Sequence, residues 1–252
     1  FQIPIASRTS RGKPIVNILP LEEGERITSM LPVTEYTNDH YVFMATSNGT
    51  VKKTVLTNFA RQRSVGLRAI ELDEGDELVG TAITDGSHDV MLVSTSGKTI
   101  RFKEVDVRPM GRTARGVRGI KMGDEYRMIA LIIPQNNRQI LTVSENGYGK
   151  RTKVEDFPVY GRGGQGVIGI QTNDRNGGVV GAVQVSDADE IMLISDKGTL
   201  VRTRVKEVSV QGRNTMGVRL IRLKEGEKLV GLEQVDEPPD EENDQASSEE
   251  IK

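Results

Sequence analysis

The sequence predicts an all-β protein built from four-stranded units that repeat about every fifty residues. A loop rich in glycine and arginine recurs along the 252 residues. The glycines that close the successive copies of this loop are Gly12, Gly66, Gly116, Gly166 and Gly217. Between the loops, short apolar runs alternate with turn signals, and helical periodicity is absent. Radial repetition of four-stranded sheets is typical of a β-propeller, in which each sheet forms one blade.

The repeats divide the chain into one incomplete blade, four complete ones and a tail. Residues 1–33 correspond to the back of a blade, with predicted strands at 15–19 and 27–33. The complete repeats cover residues 41–84, 90–134, 140–185 and 191–235. Because the first repeat is incomplete, we expect the chain to be a piece of a longer polypeptide. Residues 236–252 combine low hydrophobicity with high charge, so we expect an acidic, disordered tail.

Each complete repeat has the same order of elements. An opening apolar strand is predicted at 41–45, 90–93, 140–143 and 191–194. It leads to a hairpin at Gly49, Gly97, Gly147 or Gly198, where glycine supplies the positive φ of a tight turn. A second strand, the glycine-arginine loop and a third strand ending in isoleucine follow. The fourth strands, at 78–83, 128–133, 179–185 and 229–235, are nearly unbroken apolar runs, which predicts cover on both faces from neighbouring blades.

No pattern of catalytic or metal-binding residues is present in the sequence. The chain has no cysteine, which excludes disulfides and thiolate metal sites. His40 and His88 each stand beside an aspartate in a polar loop, which favours a solvated turn residue over a catalyst. There is no phosphate-binding loop or nucleophile elbow, and the acidic turns lack the spacing of calcium loops. We therefore predict no catalytic residue, metal or cofactor in this chain.

Charge is unevenly distributed along the chain. The formal net charge is −2, but residues 236–252 hold eight acidic residues and one lysine, so the remainder is positive. A basic body with an acidic tail indicates a polyanion-binding surface and a segment that competes with the polyanion. The alternative is a tail that only increases solubility. No apolar run reaches the roughly 18 residues of a membrane span, so we predict a soluble, cytoplasmic protein without membrane contact.

Basic residues recur in register when the repeats are aligned. Four positions after the hairpin glycine stand Lys53, Arg101, Arg151 and Arg202, and six positions after it stand Lys103, Lys153 and Arg204. Residues two apart in a strand share a face, so most second strands are predicted to show two positive charges on one side. Four positions before the loop glycine stand Arg8, Arg112, Arg162 and Arg213.

These residues predict a basic rim that contacts phosphates. Arginine and free backbone N–H groups in glycine loops are suitable donors to phosphate oxygens. The alternative is that the charges only protect sheet edges from pairing. The predicted phosphate-contacting set is Arg8, Arg11, Lys13, Lys52, Lys53, Arg61, Arg63, Arg101, Lys103, Arg112, Arg115, Lys150, Arg151, Lys153, Arg162, Arg202, Arg204 and Arg213.

A rim of this kind suits bent duplex DNA. Contact with phosphates predicts weak sequence preference and steep salt dependence. Aromatic residues make up 4% of the chain and tryptophan is absent, which argues against stacking on single strands or RNA. The expected partner is therefore double-stranded DNA.

Several long stretches resemble the C-terminal domain of bacterial DNA gyrase A. They are Ala6–Asn17, Asn48–Thr54, Arg101–Glu104, Glu145–Thr152 and Gly198–Arg204, and the resemblance covers about residues 1–235. It implies a β-pinwheel, a propeller variant in which blades exchange a strand with their neighbours. It also implies a domain that wraps DNA around its rim and so supports negative supercoiling by an ATP-dependent type II topoisomerase.

The resemblance also implies partners and limits. The rest of gyrase A and the whole of gyrase B would be the protein partners, the location would be the nucleoid, and the ATP and magnesium sites and the cleavage tyrosine would lie elsewhere in the enzyme. The family's wrapping motif, Gln-Arg-Arg-Gly-Gly-Lys-Gly, is absent, and Tyr160–Gly166 keeps only part of it. The alternatives are the equivalent domain in the C subunit of topoisomerase IV and a propeller that binds proteins.

Overall fold

The strands of this protein form four antiparallel sheets. The computed structural model describes residues 5–7, 9–17, 19, 21, 24–61, 63 and 66–235, and the strands named here lie within them. They are β1 Tyr41–Thr46, β2 Thr50–Val55, β3 Leu78–Thr84, β4 Asp89–Ser94, β5 Lys98–Lys103, β6 Val117–Arg118, β7 Met128–Ile132, β8 Gln139–Ser144, β9 Tyr148–Lys153, β10 Val167–Ile168, β11 Val179–Val185, β12 Glu190–Ser195, β13 Leu200–Arg204, β14 Val218–Arg219 and β15 Leu229–Val235.

Each complete repeat supplies the hairpin and the fourth strand of one sheet, as the sequence predicts. The first sheet has the order β3-β1-β2-β6 and the second β10-β5-β4-β7. The third has the order β11-β8-β9-β14 and the fourth β13-β12-β15. Short 3₁₀ helices follow the second strands, at Leu56–Phe59, Glu104–Asp106, Val154–Asp156 and Val205–Glu207. No helix in the described part of the chain is long and apolar enough to cross a membrane.

In the second, third and fourth complete repeats, the third strand leaves its own sheet and joins that of the preceding repeat. β6 pairs with β2, β10 with β5 and β14 with β9. The same register recurs at the three crossings, because Thr50 faces Arg118, Lys98 faces Ile168 and Tyr148 faces Arg219. This exchange confirms the β-pinwheel. The paired segments are only two residues long, since the isoleucine that follows turns inward, and Ile120, Ile170 and Ile221 are buried.

In the first complete repeat, residues 66–70 form no strand, so the third strand predicted to end at Ile70 was wrong. No second strand of a preceding sheet is among the described residues for it to join.

The hydrophobic core consists of layers between successive sheets. One layer joins the first and second sheets and includes Phe43, Leu92 and Phe102. A second joins the second and third sheets, and a third joins the third and fourth. Fourth strands pack against one another from blade to blade, β3 on β7, β7 on β11 and β11 on β15. Each sheet therefore depends on its neighbours for burial, as expected for an array of repeats.

The hairpin glycines allow the crossing strand to approach the turn. Gly147 has φ +80°, and a Cβ built on it would lie 2.6 Å from the carbonyl oxygen of Ile221. The amide of Leu220 donates to the carbonyl of Gly147 at 2.8 Å. A side chain at this position would push away the strand that links the two blades. Gly198 has the same φ, and a Cβ built on it would meet no heavy atom of the described residues within 4 Å.

The predictions for residues 1–33 were wrong in their secondary structure. Among the described residues, Ile15–Asn17 form a 3₁₀ helix and residues 27–33 form no strand. A strand needs an edge with which to pair. No strand of the four described sheets pairs with residues 27–33. The tail 236–252 lies outside the described residues.

Candidate nucleic-acid interface

Two of the predicted phosphate-contacting lysines are buried between consecutive repeats. The side chains of Lys52 and Lys150 are fully inaccessible. The Lys150 ammonium donates to the carbonyls of Gly212 and Arg213 at 2.6 and 2.5 Å. Lys52 donates to the carbonyls of Ala69 and Arg112. Each lysine thus fastens the glycine-arginine loop of the next repeat, and it does not face an external polyanion.

Burial of these ammonium groups changes their acidity. Desolvation, with a smaller contribution from the charge of Arg213, lowers the pKa of Lys150 to about 8. Desolvation, followed by the charge of Arg112, lowers the pKa of Lys52 to about 8 as well. The carbonyl oxygens that these lysines contact stabilise the ammonium only in part, because the loss of hydration outweighs them.

The basic residues four positions after the hairpin glycine are also turned inward in three repeats. Lys53 and Arg151 are buried, and the Arg101 side chain is 13% exposed. Arg101 Nη1 donates to the carbonyls of Val154 and Phe157, at 2.9 and 3.3 Å. These carbonyls belong to the 3₁₀ helix of the next repeat and its end, where backbone acceptors lack helical partners.

Lys53 and Arg151 likewise donate to backbone carbonyls in or just after the 3₁₀ helix of the next repeat. Arg151 Nε donates to the carbonyl of Val208 at 2.6 Å, and Lys53 Nζ to the carbonyl of Glu104 at 3.3 Å. The prediction that Lys52, Lys53, Lys150 and Arg151 face DNA is therefore not supported by their placement. The physical reason is that the following repeat covers the face on which they lie.

In the last repeat, the basic residue four positions after the hairpin glycine is Arg202, and it is not buried under another described repeat. Arg202 is 45% exposed and bonds to Glu190. Arg204, two residues on, lies 3.6 Å from the same carboxylate group, which confirms that the two positions share a face. In the second sheet, Arg101 and Lys103 likewise share Asp89, at 2.7 Å from each. An acidic residue at the start of the opening strand thus offsets part of the positive charge.

The strand-end residues are the exposed members of the second-strand set. Lys103, Lys153 and Arg204 all have exposed side chains. Lys153 lies opposite Gln139 in the register, where the neighbouring repeats have Asp89 and Glu190. Its charge is therefore not offset at that cross-strand position. Lys153 is the member of the three without a carboxylate opposite it in the register.

The loop arginines link adjacent blades and also remain accessible. Arg162 donates from Nε to the carbonyl of Asp106 at 2.9 Å and from Nη1 to the carbonyl of Arg118 at 3.1 Å. Arg213 donates in the same way to the carbonyl of Ile168 at 3.1 Å. Arg162 is exposed, while Arg213 and Arg112 are half-buried. A guanidinium has five N–H donors, so these bonds leave others directed elsewhere.

The remaining predicted residues lie at or near the N-terminal repeats. Arg115 is 64% exposed and bonds to Glu71 at 3.1 Å and Asp73 at 2.9 Å. Residues Arg11, Lys13, Arg61 and Arg63 are exposed. Arg8 lies outside the described residues. The exposed part of the predicted set therefore comprises Arg11, Lys13, Arg61, Arg63, Lys103, Arg115, Lys153, Arg162, Arg202 and Arg204.

The sequence prediction omitted a basic cluster around Tyr148. Arg175 Nε and Arg219 Nη2 both donate to the Tyr148 hydroxyl, at 3.0 and 2.9 Å. Arg219 stands in register with Arg68 and Arg118 two positions after the loop glycine, a signal that was available in the sequence. Arg175 gave no repeat signal, because the aligned residues of the other repeats are Gly75, Glu125 and Gly226.

One group of potential metal ligands occurs among the described residues. Asp85, His88 and Glu104 each offer an atom within 4.8 Å of the others. The buried Glu104 carboxylate already accepts from the Thr84 hydroxyl at 2.7 Å and lies 3.4 Å from the Lys53 ammonium. A cation would have to compete with that ammonium, so this cluster fits an internal ion pair better than a metal site.

The fold and the site define a row of strand-exchanging sheets whose accessible lysines and arginines recur from repeat to repeat. The chain belongs to the family described as DNA gyrase C-terminal domain, beta-propeller, whose model matches residues 2–34, 40–85, 88–135, 138–186 and 189–236. The five matched segments correspond to the incomplete repeat and the four complete ones.

Similar proteins support this family assignment. The chain is 59% identical over 242 residues to DNA gyrase A of Salmonella typhimurium and 57% identical over 243 residues to that of Escherichia coli. Each alignment covers 96% of this chain and 28% of the relative, so the chain spans little more than a quarter of the length of those proteins.

Solved structures show the same architecture. The C-terminal domain of DNA topoisomerase IV matches with a TM-score of 0.83 and 27% identity, over 89% of this chain and 71% of that one. The DNA gyrase A C-terminal domain matches with a TM-score of 0.78 and 28% identity, over 91% of this chain and 77% of that one. The fold is thus shared by both domains, at nearly the same identity to each solved structure.

Proposed function

We propose that this chain binds duplex DNA around its outer rim as the C-terminal domain of a DNA gyrase A protein. The observation that supports this most directly is that exposed basic residues recur at equivalent places. Lys103, Lys153 and Arg204 end successive second strands, and Arg162 lies in a loop where it bonds to the carbonyl of Asp106, in the 3₁₀ helix that follows Lys103. Such a row can contact phosphates along a curved duplex without reading its sequence.

In the whole enzyme, this domain would wrap DNA and present a crossing to the cleavage core for negative supercoiling. The partners would be the rest of gyrase A and the whole of gyrase B, and ATP and magnesium would act outside this chain. The location would be the nucleoid. The corresponding domain of topoisomerase IV is the second candidate, because that structure shares the fold with a TM-score of 0.83.

DNA binding measured against salt tests the proposal. We expect binding to duplexes of about one hundred base pairs to weaken steeply with salt, since each phosphate contact adds about 0.9 to the log–log slope. Lys153→Gln should reduce that slope by about 0.9. Arg138→Gln is the matched control, because Arg138 is paired with Asp189 at 3.7 Å. A flat salt response would exclude the proposal.

Wrapping is tested separately from binding. A nicked plasmid closed by ligase in the presence of the chain should keep supercoils of one sign if the duplex is wrapped. The family resemblance implies a positive crossing, so we expect positive supercoils after the protein is removed. Binding without any trapped supercoils would leave a DNA-binding domain that does not wrap, which is closer to the topoisomerase IV alternative.

A further inference from the structure

A pocket of about 610 Å³ lies where the third sheet meets the strand from the last repeat. Tyr148 and Arg219 face each other across β9 and β14, and Arg175 reaches in from the turn before β11. Arg222 lines the same pocket. No carboxylate is among the described residues that line it. Three guanidinium groups therefore share one concave surface without a built-in counter-charge.

Two of these guanidinium groups converge on a single oxygen. Arg175 and Arg219 both donate to the Tyr148 hydroxyl, so their donor nitrogens lie less than two hydrogen-bond lengths apart. Their guanidinium carbons lie 5.5 and 5.3 Å from the centroid of the tyrosine ring. The phenol and its ring face partly offset the repulsion between the two cations. An anion placed between them would offset it much further.

The residues that hold this arrangement are themselves well positioned. Tyr148 is 5% exposed, so its hydroxyl has a defined place. Asn176, which is fully buried, donates to the carbonyl of Gln171 at 2.7 Å. Asn146 donates to the carbonyl of Arg175 at 3.2 Å. The turn that carries Arg175 is therefore built before any ligand arrives.

The other junctions between repeats lack this combination. At the first crossing, Arg118 faces Thr50, and Asp124 is among the lining residues. At the second, Ile168 faces Lys98, and no arginine is among the described residues that line the pocket there. At the position of Arg175, nine residues after the loop glycine, the other repeats have Gly75, Glu125 and Gly226. The third junction thus differs in having two arginines that donate to one tyrosine hydroxyl and no carboxylate among the described residues that line its pocket.

We propose that Tyr148, Arg175, Arg219 and Arg222 form a phosphate-binding pocket that takes one phosphodiester group of the wrapped duplex. This rests on the proposed function and adds to it a defined anchoring point, whereas the strand-end lysines make diffuse contacts. The guanidinium groups donate hydrogen bonds to the phosphate oxygens. The Tyr148 hydroxyl, which accepts from Arg175 and Arg219, keeps these two arginines close enough together to bind one anion. Hydrogen bonds from Arg175 and then Arg219 also lower the pKa of the Tyr148 hydroxyl.

Two variants test the pocket through DNA binding. Arg175→Gln combined with Arg219→Gln should weaken binding to a hundred-base-pair duplex by about tenfold at moderate salt, and reduce the log–log slope by about 0.9. Tyr148→Phe leaves the charge unchanged, so it should weaken binding by a few fold with the salt slope unaltered. A lower affinity with an unchanged salt slope would show that the hydroxyl positions the arginines, whereas a lower slope reports lost charge. The control is Arg138→Gln combined with Lys206→Gln, which removes the same charge at two sites outside the pocket.

A second measurement observes the pocket directly. In NMR spectra, the Nε–H signals of Arg175 and Arg219 should shift on titration with the duplex and, at higher concentration, with inorganic phosphate. Tyr148→Phe should reduce both shifts. This readout also shows whether each variant remains folded, because backbone amides far from the pocket should not move.

The outcomes distinguish this inference from the proposed function. If the wild-type chain binds no DNA, the proposed function and the inference both fail. If the wild type binds with a steep salt slope but the double variant matches the control, only the pocket is excluded. If inorganic phosphate shifts the two arginines but the duplex does not, the pocket binds free anions, and its role in DNA binding is overturned.

Discussion

Whether a basic side chain of a second strand binds backbone carbonyls or faces solvent depends on whether the next repeat covers it. Arg151 and Arg202 occupy the same position in adjacent repeats. Arg151 is buried and donates to the carbonyl of Val208, whereas Arg202 is 45% exposed and bonds to Glu190. Burial converts a surface charge into a connection between blades, because the carbonyls of the next 3₁₀ helix need donors.

We expect Arg151→Ala to lower the free energy of unfolding by about 2–4 kcal/mol, since it leaves buried acceptors without donors. Arg202→Ala, the matched control, should cost less than about 1 kcal/mol, because its ion pair with Glu190 is partly exposed to solvent. Urea denaturation monitored by circular dichroism measures both. Equal costs for the two variants would contradict the structural role of Arg151.

Lys150 should make stability depend on alkaline pH. Its pKa is about 8 in the folded protein and near 10.4 when unfolded, so between these values the unfolded state binds more protons. The cost of burying the charge is fully present below pH 8 and vanishes above about 10.5, so this group makes stability rise with pH across that window. The total change is on the order of 3 kcal/mol at most.

The Lys150→Met variant isolates this contribution. We expect the wild type to gain stability relative to the variant between pH 8 and 10, measured as the difference in their urea midpoints. Other titrating groups are common to both proteins and cancel in the comparison. Parallel pH profiles would show that the lysine keeps an ordinary pKa in the folded state.

At the scale of elements, the crossing strand is the structural unit that joins the blades. Each crossing pairs only two residues, yet the isoleucine that follows it is buried between sheets. The hairpin glycine must admit this strand at a distance that no side chain allows. The crossing therefore depends on glycine for two reasons, the positive φ and the close approach of the backbone.

Gly147→Ala and Gly198→Ala separate these two reasons. Both positions have φ +80°, so both variants should incur the roughly 1–2 kcal/mol of a left-handed non-glycine residue. Only at Gly147 would the new methyl group meet the carbonyl of Ile221, which should add about 1–3 kcal/mol. Thermal unfolding of the two variants measures the difference. Identical melting temperatures would mean that the crossing strand moves aside without cost.

At the scale of the whole molecule, the basic repeats of residues 1–235 and the acidic tail belong to one chain. Residues 236–252 carry eight acidic side chains and lie outside the described residues. Residues 1–235 have a positive net charge. A tethered polyanion near a basic rim competes with DNA through the same charges. This competition would weaken as salt screens both interactions.

Deletion of residues 236–252 should therefore strengthen DNA binding several-fold at low salt, and less at high salt. A chain in which the tail is replaced by glycine and serine of the same length is the control for its volume. Fluorescence anisotropy with a labelled duplex measures the affinities. If deletion and replacement both leave the affinity unchanged, the tail serves only solubility.

Much of the fold could be predicted because each repeat is marked by local sequence features, namely hairpin glycines and short apolar strands. The opening and fourth strands agree with the sequence prediction to within a residue or two at each end, as β1, β4 and β11 show. Hairpins depend on glycine and apolar alternation, which are local. The strands predicted at 15–19 and 27–33 were wrong, because a strand also needs a partner, and no strand of the four described sheets pairs with residues 27–33.

The candidate site was harder to predict than the fold. Alignment in register identified where basic residues recur, but it could not separate Lys150, which is buried, from Lys153, which is exposed. It also missed Arg175, because that residue has no counterpart in other repeats. Whether a charge is accessible depends on which segment of the next blade lies over it, and this is not a local property of the sequence.

The sequence by itself determined the repeat, the hairpins and the surplus of positive charge in residues 1–235, because periodicity and composition are properties of the chain. Only the tertiary structure decided which charges face outward. Lys52 and Arg151 fasten the blades, whereas Lys153 and the arginines around Tyr148 remain available to an anion. The physical reason is the strand exchange, which brings the carbonyls of one repeat over the second strand of the repeat before it.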